Sequence, residues 1–262
     1  MILPSRSRCL VIVLHMIIFN QIDLSIEIGC GRQRTKEQSR LNRRQPKIVG
    51  GTDVYEGEFP WIVSIRRHGT HHCGGVIVGQ RWILTAAHCV PNHRHHWRHF
   101  VVRVGEHDLI RTEPYTKDYD VEQIHIHHNY SRIGTNYKNW IKVNNADIAL
   151  VKTADDIHLS EYSWPVCFPN GTNSTWPMGH EAIVIGWGKR NEKSELYSER
   201  LQKVHLKIID RHNCTDWFKM AGREFAINEN VICAGFREGG KDACHGDSGG
   251  PLLLKQKSGS FI

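Results

Sequence analysis

His245-Gly246-Asp247-Ser248-Gly249-Gly250-Pro251 sets three glycines around one Asp-Ser pair. Lacking side chains, those glycines let backbone N–H groups approach a serine oxygen, which is how an acyl-transfer site is built. A serine hydroxyl is a weak nucleophile until a base takes its proton, so the stretch calls for a histidine and an orienting acid elsewhere. Two segments closer to the N-terminus supply them. Asn145-Ala146-Asp147-Ile148-Ala149-Leu150 sets one acid in an otherwise apolar, strand-like segment, and Thr85-Ala86-Ala87-His88-Cys89 follows the apolar run Trp82-Ile83-Leu84. The order His, Asp, Ser is one of three unrelated orders in which this triad occurs. Taken singly, the glycine-rich stretch reads as a turn without chemistry and Asp147 as a salt-bridged core acid; the combination selects the catalytic reading.

Ile48-Val49-Gly50-Gly51 completes four separated motifs, and from Ile48 to its last residue the chain resembles the trypsin-like members of the chymotrypsin-type serine proteases. The resemblance implies an all-β fold of two antiparallel six-stranded β-barrels with the active site in the cleft between them. It implies Ser248 as nucleophile, His88 as general base and then acid, Asp147 as the acid that orients the imidazole, and the N–H groups of Gly246 and Ser248 as the oxyanion hole. Asp242 would lie at the floor of the pocket for the residue before the scissile bond. A buried carboxylate there selects Arg or Lys, because an apolar or acidic side chain would leave it unpaired; the plain alternative is a surface acid next to Lys241. Cutting the bond between Lys47 and Ile48 would free an amino group to pair with Asp247 and order the oxyanion hole, a two-state switch. A bond after Lys calls for a trypsin-like activator, in a cascade or by self-activation. Arg43-Arg44 is a second cut, one that would not expose Ile-Val-Gly-Gly.

The strand pattern stands apart from the resemblance. Short apolar or alternating runs at Trp61–Ile65, Gly75–Val78, Trp82–Leu84, Phe100–Val104, Asp120–Ile126, Ile148–Val151, Ala182–Gly186, Val204–Ile209 and Pro251–Leu254 are separated by Gly, Pro and Asn clusters, which argues for a barrel or sandwich. Asp210–Met220, with Asp210 as N-cap, is the expected helix.

With 262 residues there is enough apolar content for a packed core. Arg6 and Arg8 precede an apolar run from Cys9 to Phe19, too short to span a bilayer, so residues 1–29 read as a secretory signal region and the protein as secreted and extracellular. No small-x-small cleavage pattern stands out, which leaves an uncleaved N-terminal anchor as the alternative. Of the formal charge of +7, +6 lies between Gly31 and Lys47, so residues 30–47 read as a basic, solvated pro-segment and a nucleic-acid partner is not expected. Residues 48–262 form the protease domain, expected as a monomer acting on peptide substrates and held in check by protein inhibitors.

Removing Cys9 with the signal leaves seven cysteines, an odd number. By resemblance, Cys73 pairs with Cys89, Cys214 with Cys233, and Cys30 with Cys167 to tether the pro-segment; Cys244 is left over. The sequons at Asn129, Asn170, Asn173 and Asn213 read as surface loops. His93, His95, His96 and His99 crowd one loop, and His125, His127 and His128 another; His125 and His127 could share a strand face and hold a metal, though a solvated His-rich surface is the plainer reading. No cofactor is expected. A trypsin-like calcium loop is weak: Glu106 fits, whereas Asp108, Glu113 and Asp118 do not fall on the family's spacing.

Fourteen residues follow Ser248, fewer than the resemblance requires for the strand that pairs with substrate, the partner of Cys244, the far pocket wall and a C-terminal helix. The second barrel is therefore expected to be incomplete. Two readings follow: an incomplete form of an active protease cleaving after Arg or Lys, or a catalytically inactive protease-like protein that binds or competes for partners.

Overall fold

The computed structural model describes residues 29–34, 51–130, 140–141, 146–169, 178–189, 196–222, 224–225, 227, 231–239, 243 and 245–262, without the side chains of 140, 141, 224 and 225. Lys47, Ile48, Asp242, Cys244, Asn170 and Asn173 lie outside them, as do the signal region up to residue 28 and residues 35–47 of the pro-segment.

Strands β1 (Thr52–Asp53), β2 (Ile62–Arg67), β3 (Thr70–Gly79), β4 (Trp82–Thr85), β5 (Phe100–Val104), β6 (Lys117–Ile126), β7 (Trp140–Ile141) and β8 (Ala149–Thr153) come first in the chain. Six of them close a barrel in the order β2-β3-β4-β8-β6-β5. Successive residues of β2 and β3 are buried on both faces. Val63, Ile65 and Ile77 fill the barrel interior with Ile83, Val102, Val104 and Val151. Ile62, Val76 and Val78 point the other way, into a second core with Trp61, Ile185, Trp187, Leu201 and Phe261. The two-residue period of a strand thus distributes one apolar run between two cores. His68 and Gly69 turn β2 into β3 with φ of 51° and 80°, the positive-φ pair of a tight hairpin.

The second half holds β9 (Glu181–Gly186), β10 (Gln202–Ile209), helix α1 (Arg211–Met220), β11 (Glu224–Phe225), β12 (Cys233–Gly235) and β13 (Leu252–Leu253). Among the described residues it is an open five-stranded sheet, ordered β1-β10-β9-β13 with β12 also pairing β10, and β7 and β11 form a separate parallel pair. Among the described residues the fold is thus mostly β with one closed barrel, as expected for the first of two barrels, and the second, expected to be incomplete, is not closed. Beyond β13 the chain turns back, Leu254 and Ile262 exchanging backbone hydrogen bonds of 2.9 and 3.1 Å, and Phe261 is buried edge-on to Phe59. Helix α1 begins where its cap was expected: the Asp210 carboxylate accepts from the N–H groups of His212 and Asn213. Asn213 accordingly sits exposed on a helix rather than in a loop. No helix among the described residues is long and apolar enough to cross a membrane.

Three disulfides join Cys30 to Cys167, Cys73 to Cys89 and Cys214 to Cys233. Around the first, residues 29–34 are bound along the body of the fold. Gly31 donates its N–H to Pro165 and accepts from Phe261, the Trp164 indole donates to the Gly29 carbonyl at 2.7 Å, and Arg34 donates to the Tyr162 hydroxyl at 2.6 Å.

Candidate active site

A single 3-10 turn, Ala87–Cys89, carries His88 at the end of β4. Ala87 and Cys89 are buried, so the residue between them is forced outward, and His88 is exposed. On the neighbouring β8, the chain enters through Ala146, whose φ of 48° is left-handed. The Ile148 N–H closes back on the Ala146 carbonyl at 2.8 Å, a γ-turn with Asp147 at its apex. That turn aims the carboxylate at His88: Oδ2 lies 2.7 Å from Nδ1 and Oδ1 accepts the His88 backbone N–H at 2.9 Å. A carboxylate only accepts here, so the proton of a neutral His88 sits on Nδ1 and Nε2 keeps its lone pair.

Ser248 is brought to the same edge of the barrel by its backbone. Its carbonyl accepts from Gly74 N–H at 2.8 Å, and Gly74 follows Cys73, whose disulfide ends beside His88 at Cys89. Two adjacent residues of β3 thus hold the His88 turn and the Ser248 turn. Gly249 adopts φ +79°, and a Cβ there would lie 2.3 Å from Thr85 Oγ1 and 2.5 Å from the Gly74 carbonyl oxygen. Asp247 accepts from Gly188 N–H at 2.7 Å, and a Cβ on Gly186 or Gly188 would overlap its carboxylate. A cavity of about 720 Å³ opens beside Ser248, lined among others by Ala243, His245, Gly249 and Lys189.

One residue of this site carried no signal in the sequence. The pairing of β2 with β3 skips His72: Ile65 faces Cys73, but Arg66 faces His71. Without that bulge His71 would share the barrel interior with Cys73; with it, His71 moves to the face of Ser64 and Arg66. From there Nε2 lies 3.0 Å from the Gly246 carbonyl and Nδ1 lies 2.8 Å from Ser64 Oγ. A carbonyl can only accept, so Nε2 donates and Nδ1 accepts from the hydroxyl. The ring also packs against Trp187 and Tyr197. Burial pushes its pKa down to about 4, against a smaller opposing effect of the Gly246 hydrogen bond. The native state therefore holds His71 neutral. Its contribution is fully present above the ordinary pH of about 6.5 and is lost as pH falls through about 4, a swing of about 3 kcal/mol. Urea unfolding of the protein and of His71→Leu between these pH values should show that much more acid sensitivity in the parent; parallel curves would refute the assignment.

The other sequence candidates are dispersed. Glu106, 3% exposed, accepts from Arg66 at 2.8 Å and Arg103 at 3.3 Å. Arg103 also grips both oxygens of Asp118, and Glu113 accepts from Asp108 N–H and Thr116. Glu106 and Asp118 are thus already paired with guanidinium groups, which would compete with a calcium ion. Adding calcium or removing it with EGTA should leave the unfolding temperature unchanged; a calcium-dependent rise would overturn this. His125 packs on Trp82, whereas His127 lies past the end of β6 and stacks on His128, so His125 and His127 do not share a strand face.

Comparison with known proteins agrees with the fold. The family model described as Trypsin matches residues 48–261. Serine proteinase stubble of Drosophila melanogaster is 36% identical over 231 residues, 85% of this chain and 27% of that protein. This chain thus spans about a quarter of its relative's length. With the match running through the closed barrel and the segments that bear His88, Asp147 and Ser248, the chain belongs to the trypsin family of serine proteases.

Proposed function

We propose that this chain is a secreted serine endopeptidase made as a zymogen, activated by cleavage after Lys47 and hydrolysing peptide bonds after Arg or Lys. The observation that carries the reading is the double hydrogen bond between His88 and Asp147, on the barrel edge to which Gly74 ties Ser248. Nε2 of His88 takes the proton of Ser248 Oγ as the oxygen bonds to the scissile carbonyl carbon. The same proton then passes to the departing amine as the C–N bond breaks, and water resolves the acyl-enzyme by the reverse exchange. Backbone N–H groups of Gly246 and Ser248 stabilise the oxyanion, each donor being worth about 3 kcal/mol in such sites. Asp242 selects the cationic side chain. The new Ile48 amino group pairs with Asp247, whose carboxylate already lies in the gap left by Gly186 and Gly188. Three disulfides support an oxidising, extracellular setting. An activating trypsin-like protease and protein inhibitors are the partners this implies, and a monomer suffices for the chemistry.

The test is a fluorophosphonate probe applied to protein cut after Lys47. Label is expected on Ser248, absent in Ser248→Ala and strongly slowed in His88→Ala. A cut, folded protein that takes no label would shift the function to a non-catalytic binding or decoy role.

A further inference from the structure

A second group of imidazoles follows the His88 turn. Arg94–His99 is a 3-10 helix with His93 as its N-cap, and three residues per turn put positions i and i+3 on one side. His93, His96 and His99 therefore form a row, with ring centres 6.4 and 6.3 Å apart, close to the ~6 Å rise of one such turn. His95 folds over the row, its ring 5.6 Å from His93 and 4.0 Å from His96. His93, His95 and His96 are all exposed, so their rings can turn to converge. An ion with metal–nitrogen bonds of ~2 Å in tetrahedral geometry holds neighbouring imidazole centres about 5 Å apart. The three separations straddle that value. His99, at the far end of the row, also packs on His68, the rings 4.8 Å apart, and the Trp97 indole donates to the Pro91 carbonyl at 3.4 Å, tying the segment to the chain leaving Cys89.

We propose that His93, His95 and His96 form a binding site for a divalent transition-metal ion of the zinc class, with water completing its coordination. A nitrogen-only donor set favours zinc, nickel or copper over calcium or magnesium. Residues 91–104 contain no carboxylate, so neutral imidazoles must do the binding. Arg94, Arg98 and Arg67 oppose a cation, and the absence of a neutralising acid limits affinity; Arg94 is drawn aside over the Trp97 ring, 5.9 Å from its centre. The site is distinct from the trio Cys73, His88 and Cys89, whose sulfurs are bonded to each other.

The experiment is calorimetric titration of the full chain carrying Ser248→Ala, without an added histidine tag, with zinc near neutral pH and with magnesium as control. Zinc should bind and magnesium should not. Adding His93→Gln, His95→Gln and His96→Gln together should weaken zinc at least about tenfold, whereas replacing His125, His127 and His128 should not. Unchanged zinc affinity in the first variant, or no zinc binding by the parent, overturns the proposal. His95→Gln alone, with metal-free thermal unfolding as its folding check, should also weaken zinc; equal affinity in a folded protein would count against the site.

Discussion

Replacing Asp147 with asparagine is expected to lower kcat about 10⁴-fold with little change in KM, the size of loss seen when a triad acid is converted to its amide. The asparagine carbonyl oxygen can still accept the His88 backbone N–H, so the turn between β4 and β8 survives. Its NH₂ group, however, meets Nδ1 as a donor. The imidazole responds by placing its proton on Nε2, where it can no longer take one from Ser248. Steady-state hydrolysis of a peptidyl-arginine p-nitroanilide, measured on protein cut after Lys47, checks this. A loss of less than tenfold would mean that Asp147 does not hold the tautomer and that the catalytic assignment fails.

The second large effect is structural. Gly249→Ala should destabilise the fold by about 4 kcal/mol, because left-handed strain and overpacking add at one position. The new methyl would strike the Gly74 carbonyl oxygen at 2.5 Å and displace Thr85 Oγ1, which donates to that same carbonyl. Gly69→Ala is the control: its φ is +80° but nothing lies within 4 Å of the added Cβ, so it should cost only about 1 kcal/mol. Urea unfolding of both variants separates conformation from contact, and equal losses would show that the close approach of Gly249 to β3 is unimportant.

Residues that alternate in hydrophobicity announced their strands. The nine runs read from the sequence overlap β2 to β6, β8 to β10 and β13, and Asp210 announced α1. The misses share a cause. The run read from Gly75 misses Thr70–Gly74, a polar and small start to β3 in which His71 is satisfied by Ser64 and by Gly246, 175 residues distant. Such pairing has no local signature. β1 and β12 are two and three residues long and exist by pairing with β10. The 3-10 segment Arg94–His99 has no buried residue, so no apolar period could betray it. At the site, the motifs pointed to His88, Asp147 and Ser248 and the resemblance to the Cys73–Cys89 bridge, but nothing local announced the Gly74 N–H that holds the Ser248 carbonyl.

The Cys30–Cys167 bridge changes what a cut means for this molecule. A single break anywhere in the 137-residue interval it spans alters connectivity but not composition: both pieces stay together, and residues 29–34 keep their seat beside Trp164, Tyr162 and Phe261. Processing and separation thereby become independent events governed by different chemistries. Proteolysis performs the first, and thiol exchange, not further proteolysis, would be needed for the second, so whatever is attached ahead of Cys30 travels with the protease until a reductant parts them.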